Sequence, residues 1–329
     1  MDKKIEFDRS LYNFGMDWLN GVLPVTDVFD VFSTLEKFSS KLRFDRWELT
    51  NSGMYNYSRR YCLDGKASIQ LMYNLVSEEE AFTACVPEPK DENEKPIHRT
   101  HNNPYVFFSI SGDGIRQLHK MGGDKSALNN LLFYFYYNGF RASRFDVYCD
   151  IMDKKNTAVP IIQKAFKYFQ FPQVSKPTLR TNVQRKASNI SIYRGVDDKG
   201  KVYYNCTLGN HGTRFGMFRC YNKRMELLDG RLGEKGIELL KDLGNPDYLW
   251  RLEYEMHKEN AAACFTACME EAEKNNKVLC FENTFASALE RVFDIVDVSG
   301  LHCASSNYSL SDNWASFCDF VMDNSIHLV

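Results

Sequence analysis

The sequence predicts an α+β protein: a curved, mostly antiparallel sheet with helices packed on its apolar face and charged side chains on the other. Three observations predict it. Ser143–Ile151, SRFDVYCDI, alternates Arg144, Asp146, Tyr148 and Asp150 with Phe145, Val147, Cys149 and Ile151. Trp250–His257, WRLEYEMH, alternates Arg251, Glu253, Glu255 and His257 with Leu252, Tyr254 and Met256. In Phe215–Leu227, FGMFRCYNKRMEL, the residues Met217, Arg219, Tyr221 and Lys223 share one face of an extended segment, and Phe218 and Cys220 take the other. A period of two is that of a strand, and one apolar with one polar face is usual for an antiparallel sheet.

The remaining elements follow in order. Asp27–Phe38 has helical spacing, with Val28, Val31, Phe32 and Leu35 on one side. YNYSRRYCLDGKASIQLMYN reads as a hairpin: Tyr55, Tyr57 and Tyr61 alternate, Asp64-Gly65 marks the turn, and Ile69, Leu71 and Tyr73 return. Pro87–Pro104, PEPKDENEKPIHRTHNNP, is polar and proline-rich, an expected exposed connection between two strand-rich parts. His98 and His101 lie within it and are not read as metal ligands. A strand over Tyr105–Ser111, a helix over Gly114–Met121 and a second helix over Leu128–Tyr137 come next. The aromatic stripe of that second helix is expected to be core.

Composition narrows the class. The chain has 329 residues, 44% of them hydrophobic and 26% charged, with ten cysteines and a net charge of −2. These values suit a folded soluble protein. No run approaches the roughly 18 apolar residues of a membrane span, and the start MDKKIEFDRS lacks a secretory hydrophobic region, so a cytoplasmic location and no membrane partner are expected. The cysteines are read as thiols; Cys264, Cys268 and Cys280 lack the companions of a zinc site.

The charge is uneven. From Lys176 to Arg231 there are twelve Lys or Arg and four Asp or Glu, an excess of eight positive charges, and Tyr193, Tyr203, Tyr204, Phe215 and Phe218 interleave with them. Cations meet phosphates and rings stack on bases, so this mixture suits single-stranded nucleic acid. Arg194, Lys201, Arg214 and Arg224 are the candidate DNA contacts.

The ionic faces suggest chemistry as well. A phenol has a pKa near 10, so a tyrosine attacking phosphorus needs its proton removed or its oxyanion stabilised. Arg219 and Lys223 flank Tyr221 and would lower its pKa. Asp146, Glu253 and Glu255 are suitable oxygen ligands for Mg²⁺ or Mn²⁺, which would polarise a phosphodiester. The sum is a metal-assisted DNA transesterase, provided that the carboxylate strands neighbour the tyrosine strand.

The order SISGDGIRQL, RFDVYCD, TLGNHGTRFGMFRCYNKRME, WRLEYEM resembles the replication initiation factor family, from about Asp17 to Ala263. That family includes rolling-circle initiators of plasmids, replication proteins of phages, and conjugative relaxases. Its most specific part here is the hydrophobic-Arg-x-Tyr-x-Lys block, followed by Arg-x-Glu about thirty residues on. The resemblance implies the same α+β fold, and supports it more strongly than periodicity does. It implies that Tyr221 joins covalently to a 5′-phosphate, with Arg219, Lys223, Arg144 and Arg251 in the site and Asp146 and Glu253 at the metal. Glu255 and Asp150 are weaker carry-overs. TLGNHGTRFG replaces a Gly-Ser-Arg turn of the family, which leaves the role of His211 open; a turn histidine is the favoured reading.

The expected organisation is a nicking domain over 1–263, in two strand-rich parts joined near 87–104, and a helical C-terminal segment over 264–329 for DNA recognition or dimer contacts. Expected partners are single-stranded or melted origin DNA, a second copy of the chain and a host helicase. Two alternatives stand beside the initiator: a conjugative relaxase, disfavoured by the short stretch before Asp17, and a non-catalytic single-stranded nucleic-acid binder. Clustered carboxylates disfavour the binder, because without a metal they repel phosphate.

Overall fold

Alternating side chains become strands wherever a partner strand satisfies their backbone groups, and here nearly every alternating segment finds one. The structure is a computed structural model, and it describes residues 7–24, 28–50, 57, 59–73, 105–122, 126–156, 158–170, 177–181, 190–211, 216–230, 232–297, 309–310 and 312–323. The expected connection over 87–104, with His98 and His101, lies outside the described residues, as does Tyr55.

In chain order the elements begin with β1 (Tyr12–Leu23), α1 (Val28–Phe38), β2 (Trp47–Thr50), β3 (Arg59–Leu63), β4 (Ile69–Tyr73) and β5 (Val106–Ser111). There follow α2 (Gly112–Gly122), α3 (Ser126–Tyr137), β6 (Arg141–Ile151), α4 (Ala158–Gln170), β7 (Pro177–Thr181), β8 (Ile190–Val196) and β9 (Val202–Gly209). The chain continues with β10 (Met217–Asn222), α5 (Lys223–Leu228), α6 (Glu234–Asp242), β11 (Trp250–His257), α7 (Lys258–Lys274), α8 (Phe281–Val292), β12 (Phe293–Asp297), β13 (Ser309–Leu310) and α9 (Asp312–Asp323). The hairpin turn at Asp64-Gly65 is present, both residues having positive φ. The fold is α+β, as expected, with antiparallel pairing in β2–β3, β3–β4, β4–β5, β5–β1, β8–β9, β9–β10 and β10–β11.

The chain forms two compact units. One comprises Asp17–Phe145 and Ala261–Leu279. Its strands follow the order β2-β3-β4-β5-β1, and α2 packs on β5 and α3. The aromatic stripe of α3 is core: Phe135 is fully buried, stacked on Phe140 and edge-on to Phe108, while Phe265 of α7 meets Phe140 and Phe145.

The other unit comprises Met1–Met16, Asp146–Asn260 and Cys280–Val329. Residues 264–329, expected as one C-terminal segment, therefore contribute to both units. This unit holds strands in the order β6-β11-β10-β9-β8 and a small sheet β13-β12-β7. Its apolar sheet face presents Cys206, Phe218, Cys220, Leu252 and Met256, all buried, with α4 against β8 and β9 and α8 against β11. Each large apolar side chain so buried contributes roughly 1.5–3 kcal/mol before entropy is counted. Burial also pushes the Cys220 thiol well up and that of Cys206 to about 12, so both behave as small hydrophobes.

One expectation is corrected. Lys223 does not continue the strand face of Arg219 and Tyr221, because β10 ends at Asn222 and Lys223 opens α5. Asn222 ends the strand by capping the helix: its side chain accepts a hydrogen bond from the Met225 amide at 3.0 Å. The helix then packs Leu227 with Leu240 and Leu249, a small apolar cluster within the connection from β10 to β11.

Candidate active site

The antiparallel register of β10 and β11 builds the site. Arg219 stands opposite Glu253, Tyr221 opposite Arg251 and Met217 opposite Glu255, and residues directly opposite share a sheet face. On the next strand, β9, Thr207 stands opposite Arg219. On the other side, Asp150 of β6 receives two hydrogen bonds from Arg251, at 2.6 and 2.8 Å. The condition set by the sequence is therefore met for Glu253, on β11 beside the tyrosine strand, and not for Asp146, whose strand β6 neighbours β11 and lies one strand further from Tyr221.

Burial of this face is the main surprise. Half-buried sheets expose their polar face, yet Asp150, Glu253 and Glu255 are at most 1% exposed and Arg251 is 4% exposed. Charges so placed persist only when paired and hydrogen-bonded. Arg251 is held from two directions, by the Asp150 carboxylate and by the Tyr148 ring, whose centroid is 3.7 Å from its guanidinium carbon. The Tyr148 ring in turn lies over Gly15 of β1, where an added Cβ would sit 2.6 Å from the Tyr148 hydroxyl.

The phenol of Tyr221 donates a 2.8 Å hydrogen bond to one oxygen of Glu253, and the Arg219 guanidinium bonds the other. Burial lowers the Arg219 pKa, but the Glu253 charge outweighs it, with Tyr221 and Glu255 adding, so the net shift is upward and the cation is fixed. Arg219 and Lys223 both lie 5.7 Å from the Tyr221 ring centroid, so Lys223 stays near the phenol although it has left the strand. It forms an ion pair with Glu226 one helical turn on.

Glu255 binds two imidazoles. His211 Nδ1 lies 2.9 and 3.0 Å from its two oxygens, and His257 Nε2 lies 2.6 Å from one. His211 is thus more than a turn residue. A sequence signal existed for His257, which continues the alternation of Glu253 and Glu255; for His211, beyond the end of β9, there was none. Gly216 makes the close backbone approach here: its φ is +76°, and a Cβ would collide with the Glu255 carbonyl.

The other expected residues are placed as follows. Asp146 is buried, on the same face of β6 as Asp150 by alternation. Arg144 belongs to the other compact unit, where its guanidinium lies 4.4 Å from the Trp18 ring centroid. Arg194 is exposed on β8, on the face opposite to Tyr193, and Lys201 is exposed in the β8–β9 turn. Arg224 is engaged by Asn245, the Pro246 carbonyl and Asp198. Arg214 lies outside the described residues.

Asp146, Glu253 and Glu255 suit a hard divalent cation in kind, being buried oxygen donors on one unit's ionic face. Their arrangement is that of a hydrogen-bonded network: among the described residues no group of three or more His, Cys, Asp or Glu is disposed to hold a metal ion. Binding one would require Glu253 and Glu255 to exchange hydrogen bonds for coordination.

Beside Tyr221 opens a groove of about 670 Å³, lined by Tyr193, Tyr203 and Asn205 from β8 and β9, Arg219 and Tyr221 from β10, and residues of α5 and beyond, including Asp229. None of the described helices is long and apolar enough to cross a membrane.

No family model and no curated protein matches this chain. Among solved structures, it is similar to a rolling circle replication initiator protein from Geobacillus stearothermophilus, with a TM-score of 0.61 over 95% of this chain and 97% of that one, at 14% identity. The chain shares that initiator's fold. At this identity the likeness extends to architecture, and the chemistry rests on the residues themselves.

Proposed function

We propose that the chain nicks and rejoins one DNA strand through Tyr221, and that it initiates rolling-circle replication. The observation that carries this reading is the hydrogen bond from the Tyr221 phenol to the buried carboxylate of Glu253, beside the fixed charge of Arg219. A phenol in such a pair has an acceptor for its proton and a cation for its developing charge.

Glu253 takes the phenolic proton as the Tyr221 oxygen attacks phosphorus. The P–O bond to the phenol forms as the bond to the 3′-oxygen breaks, and the 3′-oxygen leaves as a hydroxyl after taking a proton from water. Arg219 stays paired and stabilises the negative charge of the transition state. Mg²⁺ or Mn²⁺, if held by Asp146 and Glu255, would neutralise phosphate charge and favour departure of the 3′-oxygen; Glu253 could join them only by giving up its bonds to Tyr221 and Arg219, and with them its role as proton acceptor. Reversal of the same transfer reseals the strand, so no nucleotide triphosphate is consumed. The fold shared with a rolling circle replication initiator protein supports the choice of process.

The test is Tyr221→Phe, which removes only the nucleophilic oxygen. Incubated with Mn²⁺ and a randomised single-stranded oligonucleotide pool, the parent protein should form a covalent adduct on the 5′-phosphate side of the break, and the variant none, with DNA binding retained. Adducts that persist in the variant overturn the assignment.

A further inference from the structure

In the unit that holds Tyr221, the strand register sets two rows of side chains on the face of the phenol. Glu253 of β11, Arg219 of β10, Thr207 of β9 and Ser191 of β8 make one row. Arg251, Tyr221, Asn205 and Tyr193 make the next, since Cys220 stands opposite Cys206 and Asn205 opposite Tyr193. The two sides of Tyr221 therefore differ. Toward β11 lies the Glu253 carboxylate, which repels a phosphodiester, and the charge of Arg251 is already matched by Asp150. Toward β9 and β8 the rows carry the uncharged Asn205, Thr207, Ser191 and Tyr193.

Asn205 is also oriented. The β9–β10 ladder runs to the Cys220 and Cys206 pair, and the Asn222 amide beyond it donates to the Asn205 side-chain oxygen at 2.9 Å. That bond fixes which end of the side-chain amide is oxygen, because the reverse would set one N–H against another. The Nδ2 group keeps two N–H donors with no hydrogen-bond partner among the described residues, and Asn205 borders the groove with Tyr221 and Thr207. We infer that β9 forms a phosphate seat, in which Asn205 Nδ2, with the Thr207 hydroxyl beside it, donates to the non-bridging oxygens of the phosphodiester that Tyr221 attacks. The inference rests on the nicking reading of Tyr221. Charge on those oxygens builds in the transition state, and donors aimed beforehand stabilise it.

Asn205→Asp keeps the size and the oxygen that receives the Asn222 amide, and replaces the donor with a second carboxylate oxygen. On an oligonucleotide recovered from the adducts of the parent protein, it should slow adduct formation about 10²- to 10³-fold. Sulfur accepts hydrogen bonds poorly, so the parent should prefer one phosphorothioate diastereomer at the scissile linkage, by about tenfold, and Asn205→Ala should lose that preference. A rate for Asn205→Asp within threefold of the parent, or a preference that survives Asn205→Ala, overturns the seat while nicking stands. Binding is read separately: Tyr221→Phe protein is titrated with fluorescein-labelled dTTTTT, and adding Asn205→Asp should weaken binding about tenfold. Unchanged binding overturns the seat. No adducts from the parent, with binding weakened by Asn205→Asp, overturns nicking while the phosphate seat stands.

Discussion

The most informative single change is Glu253→Gln. Glutamine keeps the volume and one acceptor oxygen, so the substitution removes the charge and the destination of the phenolic proton while leaving the packing of β11 alone. Loss of a positioned base costs about 10²- to 10⁴-fold in rate, or roughly 3–5 kcal/mol of barrier. The cost to folding is smaller. Breaking a fully buried ion pair costs about 3–5 kcal/mol; here Glu253 is 1% exposed but the Arg219 side chain is 31% exposed, so Arg219 regains part of its hydration. A loss of about 1–2 kcal/mol of stability is expected. The assay is single-turnover adduct formation on the randomised pool, with thermal unfolding and DNA binding measured on the same preparation. A folded variant that binds DNA and forms adducts within threefold of the parent rate would refute the role of Glu253 as proton acceptor.

Three further outcomes are expected. Asp150→Asn removes the charge opposite the 4%-exposed Arg251 and should cost about 3 kcal/mol or more in denaturant unfolding, since both side chains are buried. Gly15→Val places side-chain atoms where the Tyr148 ring lies and should cost about 1–3 kcal/mol and slow adduct formation, whereas a valine at the open Gly230 should do neither. In alkali, the Cys206 thiol, whose pKa is raised from 9.0 to about 12 by burial, keeps its proton in the fold after the unfolded chain has lost it. Its stabilisation is thus complete below about pH 9 and lost as pH rises toward 12; unfolding midpoints across that window should fall less steeply in Cys206→Ala.

Much of this architecture was legible from alternation. The strands carrying Asp150, Tyr221 and Glu253 follow from period two alone, and their adjacency, the uncertain step, is fixed by a register that no local pattern encodes. Burial of the ionic face was not legible, because a strand reading Arg-x-Glu-x-Glu is indistinguishable from a solvated one until its partner charges are seen. Lys223 was misplaced for a local reason: the helix cap at Asn222 interrupts an alternation that the residue types continue. His211 was recognised as a residue, but its partner Glu255 lies 44 positions away in the chain. Arg194 fell on the face away from Tyr193 because neighbouring strand residues diverge, so a count of cations overstates the charge available to one face.

The distribution of burial argues that the ionic network is kept for chemistry. A well-packed apolar face in place of Asp150, Arg251, Glu253 and Glu255 would be neutral or more stable, because desolvating each ion costs several kcal/mol even after relaxation. The network is also graded. The Arg251–Asp150 pair is closed off, clamped by Tyr148 against Gly15; Glu253 is buried but reaches the half-exposed Arg219 and Tyr221; and these two border an open groove. On the proposed nicking chemistry, a fixed inner layer holds the charges in place before substrate arrives, so little reorganisation is left for the reactive step. The inner pair then influences rate without touching substrate. Asp150→Asn should therefore lower the adduct-forming rate at saturating DNA more than it weakens DNA binding, whereas loss of a phosphate contact would do the reverse.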